Sequence, residues 1–86
     1  MALFTIIAEY HGGTYVDQVT APSPRGAIQK LSKGGSTLPE IVIAGIRQLD
    51  SEADQPISIG STKNVWCVST THKRQLLLIN VVKTAF

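Results

Sequence analysis

The sequence predicts an α+β fold: a small antiparallel sheet from an N-terminal and a C-terminal β-hairpin, packed with one or two short helices. Three observations carry this. Leu3–Ala21, LFTIIAEYHGGTYVDQVTA, sets two runs rich in Ile, Val, Thr, Tyr and Phe on either side of Gly12-Gly13, a pair that tolerates the positive φ of a tight turn. Val65–Phe86 repeats the design, with VWCVSTT and QLLLINVVKTA separated by polar residues. Between them lie two stretches with helical spacing of apolar side chains.

In the first hairpin, a turn centred on the two glycines sets Tyr10 opposite Tyr15, Ile6 opposite Val19 and Phe4 opposite Ala21. One face is then apolar on both strands, and Thr5, Glu9, Gln18 and Thr20 fall on the other. After Pro22, Ser23 suits a helix N-cap and Pro24 the first helical position, where a missing N–H costs nothing. Ala27, Ile28 and Leu31 share a face, and Gly34-Gly35 supplies the left-handed stop.

Thr37-Leu38-Pro39-Glu40 has the spacing of a capping box. Leu38, Ile41, Val42, Gly45, Ile46 and Leu49 then recur every three or four residues. The β-branched run Ile41-Val42-Ile43 would also suit a buried strand; the cap and the length of the stripe favour a helix ending by Leu49. Asp50–Asp54 reads as an acidic connector. Pro56–Ile59 reads as a short extended segment, confined to an edge or strand start by its proline, and Gly60–Asn64 as a loop.

In the second hairpin a turn within Thr71–Arg74 puts Trp66 and Val68 on one face with Leu77 and Ile79, and Cys67 on the other with Leu76 and Leu78. The last strand is apolar on both faces, as a central strand covered on each side would be. Trp66 is expected to anchor the core.

Length and composition bound the function. The 86 residues make one domain, 1–86, and 43% hydrophobic with 16% charged residues is ordinary globular composition. A net charge of +2 is not the dense basic stripe of a nucleic-acid binder. Cys67 is the one cysteine, so no internal disulfide or cysteine cluster can form, which fits a reducing compartment. Nothing at the N-terminus has the pattern of a signal peptide and no apolar run reaches membrane-spanning length. A cytoplasmic protein is the expectation.

The residues that could carry chemistry are few. His11 and His72 are placed at separate hairpin tips, far short of the three or four converging ligands of a metal site, so both are expected to be solvated. Cys67 has no cationic neighbour to activate it and is expected to be a buried, inert thiol. Asp17 falls on the apolar face of its hairpin, where a carboxylate must reach the rim, sit on a frayed strand, or pair with a lysine or arginine. Glu9 and Asp17 point to opposite faces and cannot form an acid–base pair. Arg25, Lys30 and Lys33 could line one side of the first helix, with Lys73-Arg74 as a second basic spot. No glycine loop matches a phosphate-binding pattern. No metal, cofactor or catalytic constellation is implied.

Leu3–Leu31, in which a hairpin runs straight into SPRGAIQKL, resembles the opening of HicB-type antitoxins. Those lead a sheet edge into a short helix of the form T-x-E-E-A-L. Arg25-Gly26 stand where that pattern has acidic residues, the third strand that precedes the helix there is missing, and the likeness spans about a third of the chain. In size and class the chain is also similar to small immunity and inhibitor proteins. Three functional expectations follow. The first is a non-catalytic interaction protein (inhibitor, immunity or antitoxin-like) that binds a protein partner through sheet or loop surfaces. The second is a nucleic-acid-binding domain using the basic spots; the third is an enzyme subunit whose site is shared between chains. The surplus of apolar residues on the last strand adds the expectation of a homodimer. The residues expected to make contact are Asp17, His11, Arg25, Lys30, Lys33, Lys73 and Arg74.

Overall fold

The computed structural model describes residues 1–51, 56–60 and 63–85. Its elements are β1 (Ala2–Tyr10), β2 (Gly13–Ala21), α1 (Pro24–Ser32), α2 (Glu40–Ser51), β3 (Ile57–Ser58), β4 (Val65–His72) and β5 (Gln75–Ala85). The strands form one antiparallel sheet in the order β2-β1-β5-β4-β3. The expected α+β class with N- and C-terminal hairpins is therefore the one observed. Among the described residues no helix is long and apolar enough to cross a membrane.

The core lies between the sheet and its two helices. Phe4, Ile6 and Ala8 of β1 and Leu77, Ile79 and Val81 of β5 are buried against Ala27, Ile28 and Leu31 of α1 and Val42, Ile46 and Leu49 of α2. Alternation does this: every second residue of a strand points the same way, and both helices cover that one face. The segment 38–49, open to a strand reading from sequence, is helical over Glu40–Ser51.

The first hairpin turns one residue earlier than expected. Its two turn residues are His11 (φ 50°) and Gly12 (φ 81°), both in the left-handed region that a type I′ turn requires. Tyr10 therefore pairs with Gly13, Ala8 with Tyr15, Ile6 with Asp17 and Phe4 with Val19, so Tyr10 and Tyr15 are diagonal neighbours. Because the register moves by two, every side chain keeps its expected face. The second hairpin has a two-residue turn at Lys73 (φ 49°) and Arg74 (φ 66°). Trp66 then pairs with Val81 and Val68 with Ile79, on the face expected.

Helix α1 starts as read, with Gly26 N–H donating to Ser23 Oγ at 2.9 Å and Pro24 in the first turn. It ends at a Lys33 cap followed by Gly34 at φ 100°. The capping box before α2 does not form. The first α-helical carbonyl is Pro39 O, which accepts from Val42 and Ile43 N–H, so Thr37 lies outside the helix. Glu40 instead meets Arg47 at 2.9 Å, and the helix runs on to Ser51. The acidic stretch beyond it falls mostly on residues 52–55, outside those described.

β5 is the middle strand, yet it is covered on one side only. Trp66 is half-buried, packing edge-on to Phe4 with centroids 6.1 Å apart. The fully buried aromatic is Phe4, at 2% exposure. The reason is position: Trp66 sits on β4 opposite Ser58 of the two-residue edge strand β3, at the margin of the sheet.

Candidate functional site

The sheet has a second face that neither α1 nor α2 covers, and no other helix lies among the described residues. Registers place its side chains in rows. The central row crosses all five strands as Val16, Ile7, Asn80, Cys67 and Ile57. Toward the hairpin tips the next row is Thr14, Glu9, Leu78 and Ser69, and beyond it Leu76 lies opposite Thr71. On the other side come Gln18, Thr5, Val82 and Val65. Val16, Ile57 and Leu76 are more than half exposed. Glu9 is the one charged side chain in these rows. At the far end Gln18 Nε2 donates to Thr5 Oγ1 at 3.0 Å, and Thr5 shares a hydrogen bond with Thr84, closing that margin with polar groups. Cys67 is half-buried in the central row rather than enclosed in the core.

The outer edge of β2 is the other open element. Counting from a two-residue turn, Thr14, Val16, Gln18 and Thr20 are the residues whose N–H and C=O point away from β1. Two of these groups are already engaged. Gln18 N–H donates to Asp17 Oδ1 at 2.8 Å, and Lys30 Nζ donates to Thr20 O at 2.8 Å.

Asp17 finds neither a cation nor a frayed strand. Its other oxygen accepts from the Ser36 hydroxyl at 2.7 Å and from Thr37 N–H at 3.2 Å, while Ser36 Oγ accepts from Leu38 N–H at 3.0 Å. Partial burial pushes the carboxyl pKa up. The bonds from Ser36, Gln18 and Thr37 outweigh this and hold it below the ordinary aspartate value. Asp17 thus ties β2 to the α1–α2 connection.

The three basic residues of α1 do not form one stripe. Arg25 leans to Asp50 of α2 at 3.9 Å, Lys30 reaches the β2 edge, and Lys33 is exposed at the C-cap. His11, Lys73 and Arg74 do come together in one region, because both hairpins turn at the same end of the sheet. A cleft of about 360 Å³ there is lined by Tyr10, His11, Tyr15, Ile41, Lys73 and Gln75. A depression of about 250 Å³ on the uncovered side has Glu9, His11, Leu76 and Leu78 among its walls. Asp17 lines neither.

No family model, curated protein or solved structure matches this chain.

His72 departs from the sequence reading. It ends β4 beneath α2, with Nδ1 2.9 Å from Gln48 Oε1. The Gln48 amide donates through Nε2 to Thr71 O at 2.7 Å and to Thr70 Oγ1 at 3.0 Å, so its oxygen is left to accept from Nδ1. The Nε2 atom is buried and has no hydrogen-bond partner among the described residues. The Tyr10 hydroxyl donates to the His72 carbonyl at 2.8 Å. The strand alternation of VWCVSTTH carries the signal: His72 shares parity with Trp66 and Val68, hence the covered face. Of the uncovered face, Leu76 and Leu78 belong to the apolar surplus of the last strand on which the homodimer expectation rests, whereas Ile7 and Asn80 are missed from the sequence as contact candidates.

Proposed function

We propose that this chain is a non-catalytic interaction domain whose working surface is the uncovered face of the sheet, self-association included. An inhibitor, immunity or antitoxin-like role is the kind of task such a surface suits. The observation that carries the reading is the central row Val16–Ile7–Asn80–Cys67–Ile57 with Leu76 and Leu78 beside it. A contiguous apolar surface of several hundred Å² on a small protein ordinarily marks a contact area. Most of its members are β-branched or leucine, side chains that fill a pleated interface well.

A second reading rests on the tip of the second hairpin. Lys73 and Arg74 are both held at positive φ, where Asn-Gly would sit with less strain. Two cations kept in that conformation, Lys73 sharing a cleft with His11, suit contact with an acidic partner, nucleic acid included. One comparison separates the two. Affinity capture from native lysate is run with the wild-type chain, with Ile7→Lys/Leu78→Lys, and with Lys73→Glu/Arg74→Glu. Loss of the bound species in the face variant alone is the expected result. Loss in the tip variant alone, with binding that falls steeply between 50 and 200 mM salt, would move the function to the hairpin tip.

A further inference from the structure

We infer that the uncovered face is occupied by a second copy of this chain, packed face to face about a two-fold axis that brings the two Asn80 side chains together. The inference rests on the reading of that face as the working surface and names its partner.

Area is the first argument. Strands β2, β1, β5 and β4 are 9, 9, 11 and 8 residues long. At about 4.8 Å between strands and about 3.3 Å per residue they offer a flat footprint of roughly 590 Å² before side-chain relief is counted. Relief brings this close to the ~800 Å² per partner that a stable complex uses. Charge is the second. A two-fold contact sets a patch against itself, so any charge near its centre meets its own sign. Here the one charge in these rows, Glu9, is exposed and stands one row from the central one, on the hairpin-tip side of the axis and not on it.

The edge of the sheet is the third argument. Antiparallel pairing of β2 with β2 of another copy would need its outward N–H and C=O groups free. Asp17 holds the Gln18 N–H and Lys30 holds the Thr20 carbonyl, so the half of that edge nearer α1 is interrupted at one group on each of its two residues. The face has no such block. Finally, Asn80 stands at the middle of the middle strand, flanked by Ile7 and Cys67, and its amide makes no hydrogen bond among the described residues. An amide carries donor and acceptor together, so two of them satisfy each other across a two-fold axis. A lone polar pair in an apolar interface fixes register, as a single asparagine does in a coiled coil.

Sedimentation equilibrium of the intact chain at 1–100 μM provides the test. The expected wild-type species is twice the 9.3 kDa monomer mass. Asn80→Asp keeps the side-chain shape but opposes two carboxylates, and weakens the dimer at least tenfold at pH 7. Amide hydrogen exchange reads the edge separately: the outward N–H groups of Thr14 and Val16, which β1 does not use, exchange in the dimer as they do in the monomer. Cys67→Ser/Asn80→Cys forms a disulfide-linked dimer on mild oxidation, a readout that stands even if Asn80→Asp were to disturb the fold. A monomer at 100 μM whose partner capture is nevertheless lost in Ile7→Lys/Leu78→Lys overturns the second copy while leaving the interaction reading in place. A dimer that protects the Thr14 and Val16 amides from exchange and is untouched by Asn80→Asp overturns the face in favour of the edge. A dimer in which Cys67→Ser/Asn80→Cys does not cross-link overturns the two-fold placement of Asn80.

Discussion

Asp17 is the residue whose surroundings are hardest to read from the chain and simplest to test. It faces the helix side of an apolar strand, and what satisfies it lies about twenty positions on: the Ser36 hydroxyl and the Thr37 N–H. Parity in the strand predicts the face it occupies. It cannot predict the donors, because these belong to an irregular connection whose path only the packed helices decide. Asp17→Ala removes the acceptor those partly solvated donors share and should lower unfolding free energy by about 0.5–1.5 kcal/mol, measured as a reduced urea midpoint at unchanged m-value. The acid limb carries a second signature. A carboxyl held below its ordinary pKa in the fold contributes stability that is complete above the unfolded-state value near 3.9 and vanishes as pH falls through the folded value. Stability of the wild type should therefore drop more steeply with acidification than that of Asp17→Ala, and the two should converge at low pH.

At the scale of elements, the two hairpins solve one problem with different residues. Both use a two-residue turn with two positive φ angles, His11-Gly12 and Lys73-Arg74. The glycine pair in the sequence points to a turn at the right place in the first case. It misplaces the centre by one, since glycine enters the left-handed region more readily than histidine and so draws the turn onto the glycine pair. In the second case nothing in Thr71–Arg74 marks the turn, and the hairpin is legible only from the alternation on either side. Lys73→Asn/Arg74→Gly should raise stability by about 1–2 kcal/mol by relieving two left-handed side chains, read as a higher melting temperature. The helices divide similarly. Ser23-Pro24 and Gly34-Gly35 mark both ends of α1 in the sequence. The start of α2 is not marked, since Thr37 and Glu40 have a capping spacing but Thr37 is committed to Asp17.

For the whole molecule, two helices on one side of a five-stranded sheet decide which aromatic matters. Phe4 sits under them and is 2% exposed, while Trp66 lies nearer the β3 margin and touches Phe4 by its edge. Phe4→Ala should cost about 3–5 kcal/mol, with Trp66→Ala about half of that. Equal losses in urea denaturation would mean that the two rings share one burial. Strand order, unlike face, has no signature in this sequence. The apolar composition of both sides of β5 shows that it is central, but not that it lies between β1 and β4, and it suggests a cover on each side where the chain supplies one. That placement has a consequence in time. Ile6 pairs with Val81 across almost the full length of the sequence, so the two hairpins, each local and quick to form, cannot become a sheet until the largest loop in the molecule has closed. Closing it is the slow event. Contacts that span so much chain gain nothing until that entropy has been spent, and while the first hairpin waits, the inner edge of β1 stands open to any other strand that reaches it.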